Sequence, residues 1–545
     1  MTFPVTSLPN SPAGTELGAA PLVPGIPERV HLVGIGGAGL SGVAQLLRAR
    51  GHRISGTDRA VSPFVTRLRE AGVRVLVEAE ENGVPATTGT ACGEAAENLL
   101  PPGVQAVARS AAVPESSAEL IEARRRGIPI YKYSELLGRI CPARHTLAVS
   151  GTHGKTTSGW MLYHALAGVA GLARTQTAGP RPGIHGVHGL PAAEPGALIG
   201  GAHLELGTNA IAPGAAAPVG SDALDPRGGW FVVEACEYDR TFLQLAPEGA
   251  IVTNIEADHL DYYGDLEAIE EAFARFLDRV HPDGLVVCGR DVPERVTHAA
   301  APRVWRLGKE LNVDLVSQNA GCFTFRLRGP GWATPPVALA VPGSFNVDNA
   351  ALAIALAVGL AGHACDPSEA AAAAAKSLAS FGGVERRFER WFKAGEVEVI
   401  HDYAHHPTEV RVNIEAARRT APDRPVFVLF QPHQHSRTAR FLPDFVEALR
   451  GADGVVVADV YGARVQIDPE VGGATGSKEL VRRLGLARVP AWEGGEPLEA
   501  GERLVNELPQ ACTVLVLGAG DIDSIREHLE ERLAVRRAGA GAPRG

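Results

Sequence analysis

The sequence lacks the features of membrane-spanning and secreted proteins. No uninterrupted apolar stretch reaches the ~18 residues that suggest a membrane span. Residues 1–27 are rich in Pro, Gly, Ala and Ser but have no basic start followed by an apolar run, so no secretory signal is indicated. The seven cysteines are scattered and never spaced as C-x-x-C, which favours reduced thiols over disulfides or a zinc site. A soluble, cytoplasmic protein is predicted.

A large excess of charge of either sign is also lacking. The formal net charge is -10, with 21% charged and 45% hydrophobic residues among 545. This balance gives no electrostatic reason to expect a nucleic-acid or membrane partner, and it is typical of a folded protein. The length exceeds one ordinary core and fits three or four domains of ~100 to 200 residues each.

Apolar strands followed by glycine-rich turns and helical patterns predict an α/β fold with parallel sheets. Such units begin near residues 29 and 146, and four buried-strand runs follow between residues 397 and 517. The Gly-, Pro- and Ala-rich segments are predicted to be loops or insertions: 79–103, 171–197 and 205–229. The expected division is a flexible segment 1–27, domains 28–143, 144–382 and 383–536, and a flexible tail 537–545.

The strongest motif is a compact phosphate loop between a predicted strand and a predicted helix. It consists of Gly151, Thr152, His153, Gly154, Lys155, Thr156 and Thr157. Small residues let backbone N–H groups point at phosphate oxygens, and the start of the helix adds positive potential. Lys155 is expected to reach the transferred phosphate of ATP, and the Thr156 hydroxyl is expected to bind Mg²⁺.

Acidic residues follow two predicted strands downstream of this loop. Phe231–Val233 leads into Glu234, and Ile251–Asn254 leads into a segment that ends with Asp258 and His259. Ligands of open α/β sheets bind at the carboxyl ends of the strands, so these groups are expected to converge on the phosphate loop and hold a metal ion.

Seven motifs together resemble the Mur ligase family and span most of residues 29–465. They are 151–157, 234–238, 253–259, 342–350, 385–389, 402–409 and 431–438. The resemblance implies three domains: a Rossmann-like UDP-binding domain, a central P-loop ATPase domain and a Rossmann-like C-terminal domain. It also implies an ATP-dependent ligase that uses an acyl phosphate. Segments 402–409 and 431–433 most resemble the branch that joins L-alanine to UDP-N-acetylmuramate.

The resemblance also implies the role of each site residue. ATP would be bound by the phosphate loop together with Asn346, Asn349, Arg387 and Asp402. Mg²⁺ would be bound by Thr156, Glu234 and His259. The amino acid would be bound by Tyr403, His405, His406 and Arg437. Catalysis would depend on Lys155, Glu234, His259 and His405, with His405 a candidate general base.

Two sites differ from the usual family sequence, and a third stretch helps to place the chain within the family. Phe345 stands where the family usually has histidine, and Gly462–Val465 stands where an acidic residue is common. The interval from Glu234 to Gly308 contains no lysine. This excludes a carbamylated, metal-bridging lysine there and agrees with the alanine-adding branch.

A second glycine-rich loop near the N-terminus has the form G-x-G-x-x-G after a strand. Its candidate ligands of a UDP-sugar are Gly34, Gly36, Gly37, Gly39, Asp58 and Ser110. Alone, the loop predicts NAD, but the same geometry binds any pyrophosphate, and the resemblance favours UDP. The usual family histidine is not recognisable near Gly89 and Thr90.

The sequence leaves three alternatives open. The protein could be a related ligase that adds another amino acid or a peptide, an NAD-dependent oxidoreductase, or a nucleotide-binding protein without turnover. A monomer or a homodimer is expected.

Overall fold

The computed structural model describes residues 22–78, 100–141, 145–175, 193–214, 229–297, 303–362, 364–462 and 476–540. These residues form three successive α/β units, which confirms the predicted fold class. Within these ranges, no helix is both long enough and apolar enough to cross a membrane.

The first unit is a five-stranded parallel sheet in the order β3-β2-β1-β4-β5. Its strands are β1 Arg29–Val33, β2 Arg53–Asp58, β3 Arg74–Val77, β4 Ala106–Arg109 and β5 Ile130–Lys132, and its helices are α1 Ala38–Ala49, α2 Pro63–Glu70, α3 Ala118–Arg125 and α4 Tyr133–Ile140. The strand order reverses between β1 and β4, so the turn after β1 lies at the switch point where such sheets bind ligands.

The N-terminal boundary differs from the expected flexible segment 1–27. Val23 and Ile26 are buried in the core of the first unit. The Val23 N–H donates to His52 Nε2 at 2.9 Å, which fixes this stretch against the sheet. Two apolar residues among Pro and Gly give too short a pattern to predict this packing from the sequence.

The second unit is a seven-stranded sheet in the order β12-β11-β10-β6-β9-β7-β8, parallel except for the β7–β8 pair. Its strands are β6 Thr146–Ser150, β7 Gly196–Leu198, β8 Ala210–Ile211, β9 Phe231–Glu234, β10 Gly249–Val252, β11 Leu285–Cys288 and β12 Val304–Arg306. Its helices are α5 Lys155–Thr175, α6 Leu260–Tyr263, α7 Leu266–Leu277, α8 Glu294–Thr297, α9 Phe345–Ala361 and α10 Pro367–Leu378, with a 3₁₀ segment at Tyr238–Gln244.

Parts of the second unit differ from the expected loops. Helix α5 continues to Thr175, and strands β7 and β8 fall inside segments predicted as loops. A small antiparallel sheet, which the sequence pattern did not reveal, consists of β13 Asn312–Asn319, β14 Cys322–Gly329, β15 Trp332–Ala333 and β16 Val337–Ala338. Residues 79–99, 176–192 and 215–228 of these segments, with Gly89 and Thr90 among them, lie outside the described residues.

The third unit is a six-stranded sheet in the order β17-β18-β22-β19-β20-β21, with only β17 antiparallel to its neighbour. Its strands are β17 Glu389–Ala394, β18 Val397–Asp402, β19 Val426–Phe430, β20 Gly454–Ala458, β21 Ala491–Gly495 and β22 Cys512–Leu517. Its helices are α11 Pro407–Thr420, α12 His435–Arg440, α13 Leu442–Leu449, α14 Ser477–Leu486, α15 Pro497–Glu507 and α16 Arg526–Ala540, with a 3₁₀ segment at Ile522–Ile525. Helix α16 therefore extends into the tail that was expected to be flexible from residue 537.

The first two units are joined through α1. The Gln45 side-chain amide donates to Asn209 Oδ1 at 3.0 Å, and Asn209 Nδ2 donates to the Ala38 carbonyl at 2.7 Å. One hydrophobic core also runs through both units. The first glycine-rich loop is therefore held at a fixed place relative to the second sheet.

Candidate active site

The phosphate loop leaves the buried end of β6 and closes into the start of α5. Gly151 has a φ of +131°, and a Cβ there would lie 2.0 Å from Thr253 Oγ1. Gly154 has a φ of +80°, and a Cβ there would lie 2.8 Å from Asn349 Oδ1. Both positions therefore require glycine, because a side chain would meet both backbone strain and a steric clash.

Lys155 lies within the loop and is paired with an acid that the sequence analysis did not assign to the site. Its Nζ donates to the carbonyls of Gly151 at 2.5 Å and Thr152 at 3.0 Å, and it lies 3.0 Å from Glu237 Oε2. Burial favours the neutral amine, but Glu237 outweighs it and raises the pKa of Lys155. Glu237 follows Glu234 by three residues after the same strand. This closeness in the sequence is the signal that could have placed Glu237 in the site.

Two predicted metal ligands meet beside this loop. The Thr156 hydroxyl donates to Glu234 Oε2 at 2.9 Å, and the Gly200 N–H donates to the same oxygen at 2.8 Å. His259, the third predicted ligand, lies with its Nε2 4.0 Å from Glu237 Oε1 and 3.8 Å from Asp258 Oδ2. A hydroxyl with a carboxylate is a hard oxygen donor set that fits Mg²⁺.

A cavity of about 400 Å³ lies between the second and third units, next to the phosphate loop. Among the residues that line it are eight predicted ATP ligands: His153, Gly154, Thr156, Thr157, Asn346, Asn349, Arg387 and Asp402. Phe345 also lines it, so the position where the family usually has histidine offers an apolar ring here. The volume falls in the range of ~300 to 1,000 Å³ that is usual for small-molecule sites.

Three of the polar groups predicted to bind ATP are already oriented by the protein: Asn346 and Asn349, predicted at adenine, and Asp402 of the third unit. Asn346 Nδ2 donates to the Pro342 carbonyl at 2.6 Å, and Asn349 Nδ2 donates to Asn346 Oδ1 at 3.1 Å. The Asp402 carboxylate accepts the N–H groups of Phe388 and Ala404 at 2.7 and 2.8 Å. Burial outweighs the nearby Arg387 and raises the pKa of Asp402 to about 6. Asp402 therefore holds the turn that carries Arg387.

His153 joins the phosphate loop to the third unit. Its Nδ1 lies 3.1 Å from Glu409 Oε1, and its Nε2 lies 3.6 Å from Glu256 Oε2. Burial favours the neutral ring, but Glu409 and Glu256 outweigh it and raise the pKa of His153 to about 9. The Thr408 hydroxyl donates to Glu256 Oε2 at 2.7 Å and adds a further link between the units.

Glu409 uses its two carboxylate oxygens for different neighbours. Oε1 faces His153, and Arg387 Nη1 lies 3.9 Å from it. Oε2 accepts the backbone N–H groups of His405 at 3.0 Å and His406 at 3.3 Å. The start of α11 is thereby fixed to the phosphate loop.

Three of the four predicted amino-acid ligands lie near one another at the carboxyl ends of β18 and β19. The Tyr403 ring packs against the Arg387 guanidinium at 5.4 Å and against the His405 ring at 5.5 Å. His405 also faces His433 at 5.7 Å, and Arg437 Nη1 lies 3.2 Å from His433 Nδ1. Burial lowers the pKa of His405 to about 4, so its ring is neutral near pH 7.

His406, the fourth predicted ligand, has a different place. Its Nδ1 accepts the Thr408 N–H at 3.3 Å at the start of α11, and its ring packs on His153 and Phe441 at 4.7 and 5.1 Å. The structure therefore places His406 in the contact between the units.

Arg437 is almost completely enclosed and is paired with an acid of the second unit. Its Nε and Nη2 donate to Asp258 Oδ1 at 3.2 and 2.7 Å. Burial favours the neutral carboxyl, but His259 and Arg437 outweigh it and lower the pKa of Asp258. Sequence reasoning placed Arg437 at the substrate but did not find this partner.

The first glycine-rich loop is held by residues of its own unit and by the Asn209 side chain of the second unit, which donates to the Ala38 carbonyl. The Gly36 N–H donates to Asp58 Oδ2 at 2.7 Å, and a Cβ at Gly39 would lie 2.8 Å from the Tyr133 ring. Ser110 Oγ would lie 3.0 Å from a Cβ at Gly34, so the loop after β4 reaches this turn as predicted. Gly37 precedes α1 with a φ of −73°.

Comparisons with known proteins match all three units. Residues 29–145 match the Mur ligase family catalytic domain, residues 221–357 match the Mur ligase middle domain, and residues 386–520 match the Mur ligase glutamate ligase domain. The chain belongs to the Mur ligase family.

Curated relatives resemble the Mur ligase chain along nearly all of its length. The UDP-N-acetylmuramate–L-alanine ligase of Rubrobacter xylanophilus is 37% identical over 511 residues, which cover 93% of this chain and 100% of the relative. The enzyme of the same name from Kineococcus radiotolerans is 38% identical over 515 residues, covering 93% and 97%.

Solved structures give the same result. The UDP-N-acetylmuramate-alanine ligase of Thermotoga maritima matches with a TM-score of 0.68 and 25% identity, covering 94% of this chain and 100% of that chain. A murein peptide ligase from Psychrobacter arcticus matches with a TM-score of 0.64 and 21% identity over 93% and 99%, which shows a shared Mur ligase fold.

Proposed function

We propose that this Mur ligase joins L-alanine to the lactyl carboxylate of UDP-N-acetylmuramate and converts ATP to ADP and phosphate. The observation that carries the proposal is that the P-loop, a nucleotide-sized cavity and the Tyr403, His405 and Arg437 group all meet between the second and third units. The relatives with full-length matches are named for the same reaction.

Each substrate has a place in this arrangement. The first glycine-rich loop binds the pyrophosphate of the UDP-sugar, because it leads into the N-terminus of α1 at the switch point of a parallel sheet. ATP binds in the cavity, where Asn346 and Asn349 face adenine and Arg387 closes the far side. Thr156, Glu234 and His259 would hold Mg²⁺, which would neutralise charge on the transferring phosphoryl group.

The residues of the chain provide the remaining steps. Lys155 stabilises the transferring phosphoryl group as the sugar carboxylate takes it and becomes an acyl phosphate. Arg437 binds the carboxylate of alanine. The amine of alanine then attacks the acyl carbon, and phosphate is released. His405 has a neutral ring near pH 7 and is the candidate base for the amine proton. The contact between the units excludes water, which would hydrolyse the acyl phosphate.

The rival NAD-dependent reaction has less support. Both oxygens of Asp58, the residue expected at the ribose of NAD, accept backbone N–H groups, from Gly36 at 2.7 Å and from Arg59 at 2.8 Å. The P-loop would also have no use in a hydride transfer. We further propose that the enzyme acts in the cytoplasm as a monomer or homodimer.

The deciding experiment is an ADP-release assay with UDP-N-acetylmuramate and a panel of amino acids and peptides. The proposal expects ADP release that requires the UDP-sugar and is fastest with L-alanine. A faster rate with another amino acid or a peptide would reassign the substrate. Reduction of NAD without any ADP release would overturn the ligase itself.

A further inference from the structure

Asp258 lies between two parts of the site that belong to different units. It follows β10 by six residues and reaches Arg437, which is 179 positions away along the chain. Its Oδ1 accepts Arg437 Nε, Arg437 Nη2 and the backbone N–H of His259, the last at 2.7 Å. Both side chains of the pair are nearly buried, with 6% of Arg437 and 8% of Asp258 exposed.

We propose that Asp258 is a positioning residue for the amino-acid substrate: it holds one edge of the Arg437 guanidinium so that the other edge binds the substrate carboxylate. The inference rests on the proposed function, because it takes Arg437 as the carboxylate ligand. It assigns part of the amino-acid site to the second unit, although the other residues of that site come from the third.

The donor count of Arg437 supports this role. A guanidinium has five N–H groups in a fixed plane. Asp258 takes the Nε–H and one N–H of Nη2, and His433 Nδ1 lies 3.2 Å from Nη1. Among the described residues, one N–H on Nη2 and one on Nη1 have no further partner. These two N–H groups are sufficient for a bidentate contact with a carboxylate, which fixes direction as well as charge.

Burial explains why the arginine needs this partner. A guanidinium that is taken out of water without a carboxylate is strongly disfavoured, and it would turn toward solvent or toward other acids. Asp258 is itself fixed because its Oδ1 accepts the His259 N–H and its backbone N–H donates to the Glu256 carbonyl at 3.0 Å. A rigid acid thus sets the orientation of a long side chain from another unit.

The first test is Asp258→Asn, which keeps the shape and removes the charge. The KM for alanine should rise by about 10- to 50-fold, as expected when a charge-assisted contact loses its geometry. The KM values for ATP and UDP-N-acetylmuramate should change by less than about twofold, since the proposed function places neither ligand on Arg437. Asp278→Asn removes an exposed charge from the same unit and should leave all constants unchanged.

The second test is a double-mutant cycle with Arg437→Ala. If Asp258 acts through Arg437, Asp258→Asn should raise the alanine KM by no more than about twofold in the Arg437→Ala background, because no guanidinium is left to orient. If Asp258→Asn caused a general structural defect instead, it would raise the alanine KM by the same factor with and without Arg437. Asp258→Glu keeps the charge and should recover part of the alanine affinity; it carries the test if Asp258→Asn does not fold.

The outcomes separate this inference from the proposed function. A wild-type enzyme without amino-acid-dependent ADP release would overturn the proposed function, before any variant is made. A wild-type enzyme that ligates alanine, together with an Asp258→Asn variant of unchanged alanine KM, would overturn the positioning role alone. Fully multiplicative effects in the double-mutant cycle would also overturn it.

Discussion

The two glycine-rich loops have the same local design and different surroundings. Each follows a buried parallel strand, β1 or β6, and leads into a helix, α1 or α5. The first loop is held by Asp58 of its own unit and by the uncharged Asn209 side chain of the second unit. The second contains Lys155 and contacts acids from its own unit and from the third.

Under the proposed function, one backbone motif serves two tasks. A loop of N–H groups is enough to hold a pyrophosphate that does not react. Phosphoryl transfer needs more, because charge moves in the transition state and fixed cations must lie where it moves. The comparison therefore predicts that changes at the second loop affect the rate, whereas changes at the first affect UDP-sugar affinity.

The largest effect is expected from Lys155→Ala. ADP formation should fall by at least about 100- to 1,000-fold, because a preorganised cation is lost from the phosphoryl-transfer site. Equilibrium binding of UDP-N-acetylmuramate should change by less than about twofold, since it depends on the first loop. Lys309→Ala, an exposed lysine paired with Glu294, is the matched control. Near-normal turnover of Lys155→Ala would remove the second loop from catalysis.

A smaller effect is expected from Glu234→Gln and His259→Ala. The Mg²⁺ concentration that gives half-maximal rate should rise by about tenfold or more in each, because each variant removes a proposed ligand of the ion. Titrations of rate against Mg²⁺ measure this shift, with the exposed Glu271→Gln as control. If both curves match that of the wild type, the ligands lie elsewhere.

A milder, selective effect is expected from Gly39→Ala in the first loop. The new Cβ would lie 2.8 Å from the Tyr133 ring, so either the start of α1 or this ring must shift. The KM for UDP-N-acetylmuramate should rise by about five- to tenfold, while the KM for ATP should stay unchanged. Gly485→Ala, in a helix where a Cβ meets open space, is the control. An ATP defect in Gly39→Ala would contradict the separation of the two loops.

The smallest effect concerns pH and the contact that joins the second loop to the third unit. The pKa of His153 rises from 6.5 to about 9 on folding, so its charged form contributes stability below pH 6.5 that is lost as pH rises through 9. His153→Asn should lower the free energy of unfolding by about 1 kcal/mol near pH 6 and by less near pH 9.5.

Melting curves of wild type and His153→Asn at the two pH values test this expectation. The partly exposed His281→Asn of the same unit is the control and should show little difference at either pH. A His153→Asn difference that stays constant from pH 6 to 9.5 would show that the charge of His153 does not stabilise the contact.

Much of the fold could be predicted because its signals are local. Strand, glycine turn and helix follow one another within twenty residues at both loops, and this order predicts parallel α/β units. The proximity of Glu234 to Thr156 also follows from a general rule, since the carboxyl ends of neighbouring parallel strands meet at one edge.

The missed features depend on distant or weakly patterned residues. The pairing of Arg437 with Asp258 joins positions 179 apart, so no window of sequence contains it. Strands β15 and β16 have two residues each, too few for a visible alternation. His406 was assigned to the substrate with its neighbour His405, but successive residues before a helix point in different directions, and His406 turns toward His153.

With the sites assigned as proposed, the divided use of the Glu409 carboxylate links the binding of ATP and of the amino acid thermodynamically. One oxygen contacts His153 of the phosphate loop, and the other accepts the backbone N–H of His405. A nucleotide that stabilises this arrangement of Glu409 raises the affinity for the amino acid. Because coupling free energies are reciprocal, the amino acid raises the affinity for the nucleotide in the same way. By whatever factor bound nucleotide increases the affinity for alanine, bound alanine must increase the affinity for nucleotide by the same factor.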